Sequence, residues 1–182
     1  MEHDLYPAKE LERRMWKITK GAGFGRQPYC IEDLASGMIS DWFEARPGTP
    51  LQYLDRLLLV NDRIFPGMNR LEGFIVLDEK FSILTSQPFF VGRNATGREI
   101  TAFFAQAGFV EICHGTWFRE EDGLAIFDVG ETNLVLSNGF PIPIDVIPLI
   151  PEGRFLEKLR EALAIKNKGT PPVGGAPHAV WL

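Results

Sequence analysis

Cysteine is scarce in this 182-residue chain: Cys30 and Cys113 stand in unrelated contexts, with no Cys-x-x-Cys half-site. No disulfide framework can be built from two residues, and a chain of this length buries roughly 70% of its unfolded surface without such staples. The pair is read as two reduced thiols, a single bridge being the alternative. The three histidines, His3, His114 and His178, lie far apart and lack metal-ligand spacing. Positive charge is in deficit, with 19 Lys and Arg against 24 Asp and Glu for a net charge of −5. That balance argues against a nucleic-acid partner, because such binding draws on a surplus of cations. No stretch approaches the ~20 apolar residues that span a bilayer, and no apolar run follows Met1-Glu2-His3-Asp4 as in a secretion signal. A cytoplasmic protein with no membrane partner is expected. What is present, 45% hydrophobic and 24% charged residues, suits one ordinary globular domain.

Periodicity gives an α+β element order. Leu5–Thr19 fits a hairpin with Met15–Ile18 as its second strand or a short helix, the aromatic and β-branched run up to Thr19 favouring the hairpin. Gly21–Gly25 lacks the G-x-G-x-x-G spacing of a phosphate loop and is read as a flexible turn. Leu34, Met38 and Trp42 recur at four-residue steps, which predicts a helix over 31–43, broken by Arg46–Pro50. Thr49 as N-cap and Pro50 at the first helical position open a second helix to Phe65, with Leu54, Leu57, Leu58 and Ile64 inward. Strands at Arg70–Leu77 and Phe81–Gln87 form a hairpin. A helix over 96–108 turns Ile100, Phe103, Phe104 and Ala107 inward and stops at Gly108. Strands follow at 115–119 and 124–127. A hairpin then turns at Asn138-Gly139, whose second strand, bearing Pro141 and Pro143, belongs at an edge. A last helix over 152–165 presents Leu156, Leu159 and Leu163, and the Gly- and Pro-rich tail 167–182 is read as disordered. Glu120-Glu121-Asp122 is read as a solvated turn.

The chemistry concentrates in Phe127-Asp128-Val129-Gly130-Glu131-Thr132-Asn133 and Ile144-Asp145-Val146. Asn133 lies five residues after Asp128, and Asp145 twelve after Asn133, across the hairpin. Singly these read as a cap, a turn residue and a surface acid. As an ordered set they can converge: one carboxylate takes the proton of an incoming hydroxyl, while the amide oxygen and the other carboxylate hold Mg²⁺ on nucleotide phosphates.

On these residues the chain resembles the protein-kinase-like superfamily, whose catalytic loop reads H-R-D-x-x-x-x-N and whose metal Asp opens D-F-G. Ile126-Phe127 stand here for His-Arg, and Val146-Ile147 for Phe-Gly. More closely, it is similar to the polyvalent protein kinase group of bacteria and phages. The shared strings are Glu2-His3-Asp4-Leu5-Tyr6, Trp16-Lys17-Ile18-Thr19, Tyr53-Leu54-Asp55-Arg56-Leu57, Thr85-Ser86-Gln87-Pro88-Phe89 and the Asp128, Asn133, Asp145 set. The resemblance implies a minimal protein-kinase-like fold over 1–166. A small antiparallel-sheet N-lobe without its first strand covers about 1–87, a hinge 88–92, and a truncated helical C-lobe 93–166. It implies that Lys17 clamps the phosphates, that Asp55 on the Leu51–Phe65 helix is its acidic partner, and that Gln87-Pro88-Phe89 is the hinge whose backbone meets adenine, with Ile75 or Ile144 near the base. Asp128 would be the base, and Asn133 and Asp145 the metal ligands.

The function expected is a phosphotransferase using Mg-ATP on a hydroxyl acceptor, protein or small molecule. The alternative is a kinase-like module that binds nucleotide or a partner without turnover. A third reading is an α+β interaction protein unrelated to kinases. Only 37 residues follow Asp145, so a full peptide-binding lobe is not expected, nor is the glycine-rich loop that would precede the first hairpin.

Overall fold

A computed structural model describes residues 3–7, 13–20, 23–31, 39–77 and 79–168. It is α+β, with three α-helices and thirteen short strands among the described residues. The chain divides into two compact units, residues 1–27 with 45–90 and residues 28–44 with 91–182. Strands β3 (Arg26–Cys30) and β4 (Phe43–Pro47) pair as a ribbon on which the chain passes from the first unit to the second and back. Neither was anticipated. The helix expected over 31–43 falls largely outside the described residues; Ile39–Trp42 form a 3-10 turn, and Phe43 already opens β4.

The first unit is built on one sheet. Strands β1 (His3–Pro7) and β2 (Arg14–Thr19) form the expected hairpin, running from His3↔Thr19 to Pro7↔Met15. Strands β5 (Arg70–Leu77) and β6 (Lys80–Pro88) form the second hairpin, and β6 joins β2, so the order is β1-β2-β6-β5, antiparallel throughout. Helix α1 (Pro50–Leu59) starts where the sequence signals it. Thr49 accepts from the Gln52 N–H, Gln52 accepts from the Thr49 N–H, and Pro50 spends no amide. Tyr53, Arg56 and Val60, at helical spacing, are buried. Leu58, expected inward, is 65% exposed; five residues from Tyr53, it lies about 140° around the helix axis. Beyond Leu59 the helix widens into a π-turn, Val60–Ile64, closed by the Phe65 N–H on the Val60 carbonyl. Asn61 clamps the exit by exchanging hydrogen bonds of 2.7 Å with the Asn69 backbone. Tyr53 packs with Phe24 and Ile83, and its hydroxyl meets the Thr85 hydroxyl at 3.2 Å in a buried contact.

The second unit is where expectation and structure diverge most. The reduced helical lobe is in fact rich in strands. One sheet has the order β13-β10-β9-β8, from β8 (Val110–Cys113), β9 (Thr116–Arg119), β10 (Leu124–Phe127) and β13 (Ile147–Leu149). The other has the order β12-β11-β7, from β7 (Arg93–Asn94), β11 (Leu134–Ser137) and β12 (Phe140–Pro143). β12 is at an edge, as its prolines require, since Pro cannot donate to a second neighbour.

Helix α2 (Gly97–Gln106) carries a full capping box between Thr96 and Glu99, buries Ile100 and Phe104, and is followed by Gly108 in the left-handed region at φ +81°. Helix α3 (Gly153–Lys168) runs two residues into the stretch read as a tail; residues 169–182 lie outside the described residues. Leu159, Ala162 and Leu163 of α3 enter a core with Ile112, Phe118, Ala125 and Phe127. Burying a side chain such as Leu159 is worth about 1.5–3 kcal/mol. Lys158 is buried too, its ammonium 4.4 Å from the centre of the Trp42 ring and 3.0 Å from Glu161; the aliphatic stem is the part that is hidden.

Candidate functional site

In the second unit, the chain leaves β10 directly into Asp128, makes a 3-10 turn at Glu131–Asn133, runs through the β11–β12 hairpin and returns at Ile144-Asp145. Asn133 ties these ends together. Its Nδ2 donates to the Asp128 carbonyl at 2.7 Å, and its own carbonyl accepts from the N–H groups of Ile144 at 2.9 Å and Asp145 at 3.4 Å. The three residues singled out in the sequence therefore meet at one corner. Both aspartates are exposed and Asn133 is half-buried. Because the amide nitrogen is spent inward, Oδ1 is the end left for a ligand, and it accepts no hydrogen bond among the described residues.

The corner is braced from outside. Asp128 is held in the left-handed region at φ +58°, a conformation that costs an L-residue free energy and gathers at functional sites. The Val129 N–H donates to the Gly115 carbonyl at 3.0 Å. Gly115 has φ +73°, and a Cβ there would come within 3.1 Å of the Val129 carbonyl, so this approach needs glycine. Glu131 reaches back to accept from the Gly97 N–H at 2.8 Å, at the start of α2.

In the first unit, Lys17 is half-buried on β2. The register pairs Lys17↔Thr85 and Met15↔Gln87, so these four side chains share one face of the sheet, the face α1 covers through Tyr53. Asp55 is exposed, two residues from Tyr53 and about 200° around the axis. It faces away from the sheet, and the Lys17–Asp55 pairing expected from the resemblance does not form. Phe89 does not fit the hinge role either: its N–H already donates to the Arg13 carbonyl at 2.7 Å, and its ring is 55% exposed. Ile75 pairs with Ser82 and so lies on the opposite face from Lys17. Ile144 is instead part of the Asn133 corner.

Two features had no signal in the sequence. The Gln87 side chain is buried at 7% exposure, and its Oε1 has no hydrogen-bond partner. On the other sheet face, Arg14 donates from Nε to the Ser86 hydroxyl at 2.8 Å, and that hydroxyl donates to Glu72. Only the strand register brings residues 14, 72 and 86 together. The acidic run at 120–122 is a turn, as expected. Burial pushes the Asp122 carboxyl up, but the fork from Arg119 at 2.8–2.9 Å outweighs it and holds the group below its ordinary value. Cys30 and Cys113 are thiols, with no disulfide between them. Among the described residues no group of three His, Cys, Asp or Glu could hold a metal; the corner offers two carboxylates and an amide.

Residues 45–151 match the Kinase-PolyVal family, serine/threonine/tyrosine kinases found in polyvalent proteins. That is more than half of the chain. The chain belongs to this family. The Kinase-PolyVal match takes in α1, the Gln87 strand and the whole Asp128–Asn133–Asp145 corner, and begins beyond Lys17. No curated protein and no solved structure matches the chain. No helix among the described residues is long and apolar enough to cross a membrane.

Proposed function

We propose that this Kinase-PolyVal protein transfers a phosphoryl group from Mg-ATP to a hydroxyl, on a protein side chain or a small molecule. The observation that carries the reading is the bond from Asn133 Nδ2 to the Asp128 carbonyl, with Asp145 on the Asn133 carbonyl. It holds the Asn133 side chain against the backbone of one exposed aspartate beside the backbone of another, so one corner carries an amide oxygen and two carboxylates, the hard oxygen donors that Mg²⁺ prefers. Asn133 Oδ1 and Asp145 would hold the ion, which when bound neutralises phosphate charge. Asp128 takes the proton of the incoming hydroxyl on a carboxylate oxygen. As it does so, that hydroxyl oxygen bonds to the terminal phosphorus and the nucleoside diphosphate leaves with the electron pair of the broken P–O bond.

A second reading, a kinase-like module that binds nucleotide or a partner without turnover, draws on Asp55, which faces away from the Lys17 sheet face. Product formation from ATP across a panel of protein and small-molecule acceptors separates the two. On the enzyme reading Asp128→Asn keeps Mg-dependent nucleotide binding and loses turnover. Unchanged turnover in that variant would remove Asp128 as the base.

A further inference from the structure

We propose that β5, the outer strand of the first unit's sheet, is where two copies of this chain meet, pairing antiparallel so that the two sheets join into one. The inference does not depend on the nucleotide reading. β5 has one neighbour, β6, among the described residues, so alternate N–H and C=O groups of the strand point outward unpaired. Soluble proteins blunt such an edge with charge, proline or a bulge. Here the irregularity lies between Leu71 and Gly73, and the regular run Gly73-Phe74-Ile75-Val76-Leu77 beyond it holds neither charge nor proline. Its apolar side chains are open to solvent. Phe74, Val76 and Leu77, with Phe81 on the neighbouring strand, are between 43% and 70% exposed, and the Phe74 and Phe81 rings stack at 5.6 Å.

A second copy is the occupant that fits, because the strand complements itself. Paired about Ile75, Gly73 meets Leu77 of the second copy and Phe74 meets its Val76, so small faces large and no charge is enclosed. Opposed residues keep the same sheet face, as a two-fold axis perpendicular to the sheet requires. A charged peptide would find no counter-charge between Gly73 and Leu77. The pairing also closes at two: it consumes both β5 edges and leaves outermost only β1, where Pro7 lacks an N–H. The four open side chains expose on the order of 100 Å² each, and with the strand backbone the two copies would bury about 1,000 Å² in all, the lower bound for a specific interface. A reversible dimer of micromolar affinity is expected.

The test is sedimentation of the full chain across the micromolar range, with hydrogen exchange of the β5 amides read at the dilute and concentrated ends. The wild-type protein is expected to pass from monomer to dimer. Amides within residues 73–77 are expected to exchange several-fold more slowly in the dimer, because edge groups that gain hydrogen bonds become protected. Val76→Lys brings two like charges close to the pairing axis and is expected to weaken dimerisation at least about tenfold. Val76 is largely exposed, so the variant is expected to keep the fold; should it not, the wild-type exchange decides. Wild-type protein that stays monomeric throughout overturns the proposal and leaves the edge to a segment of another protein. A dimer that Val76→Lys does not weaken, or one that forms with β5 exchange unaltered, overturns it as well.

Discussion

The backbone at Asp128 gives a prediction whose sign is unusual. Asp128→Ala and Asp128→Gly both delete the carboxylate and both leave the carbonyl that Asn133 holds, so they differ only in Cβ and backbone freedom. At most positions Ala is the more stable choice by about 0.5–1 kcal/mol, because Gly loses more entropy on folding. At φ +58° the left-handed penalty of about 1–2 kcal/mol falls on Ala alone. The difference leaves the Gly variant more stable than the Ala variant by about 0.5–1 kcal/mol. In a chain of this size that is a melting-temperature gap of about 1–4 °C. Paired calorimetric or fluorescence melts of the two variants read it directly, and turnover is expected to be lost in both. An Ala variant melting at or above the Gly variant would show that Asp128 is not held in this strained conformation, and the account of the corner would fail with it.

Two further outcomes follow from packing and charge. Phe118 has no accessible surface in the second unit's core, so Phe118→Ala should cost roughly 3–5 kcal/mol in chemical denaturation, whereas Leu58→Ala on exposed α1 should stay within about 0.5 kcal/mol; similar losses at both would contradict the burial pattern. Glu99 has its carboxyl lowered to about 2 by the hydrogen bond from Arg93, then by the N–H and hydroxyl of Thr96. A lowered folded-state value contributes stability above the ordinary carboxylate range and loses it as pH falls toward 2. The melting-temperature gap between wild type and Glu99→Gln should therefore be flat above pH 5 and close toward pH 2; a gap that persists at pH 2 would refute it.

The legible parts of the molecule were those with local signals. Thr49-Pro50, Gly108, Asn138-Gly139 and the prolines of β12 each fix a backbone conformation by their own chemistry, and each element is where those residues put it. The Asp128, Asn133 and Asp145 spacing was also legible, because a short hairpin between Asn133 and Asp145 must return the chain to its start. Short strands without alternation, β7, β8 and β13, left no periodicity to read. The directions of Leu58 and Asp55 were misjudged because a helix rich in leucine offers more apolar positions than it can bury, and Tyr53, Arg56 and Val60 took the inner face. The loss of the Phe89 donor and the orphaned Gln87 oxygen depend on strand register, which no run of neighbouring residues encodes.

The central claim is that the Asn133 corner holds a metal-nucleotide complex. Calorimetric titration of ATP with and without Mg²⁺, on the wild-type chain and on Asp145→Asn, tests it most directly. The expected result is binding that needs Mg²⁺ in the wild type and is lost in Asp145→Asn, with the variant's melting temperature unchanged. Equal Mg-dependent affinity in both proteins would contradict the claim.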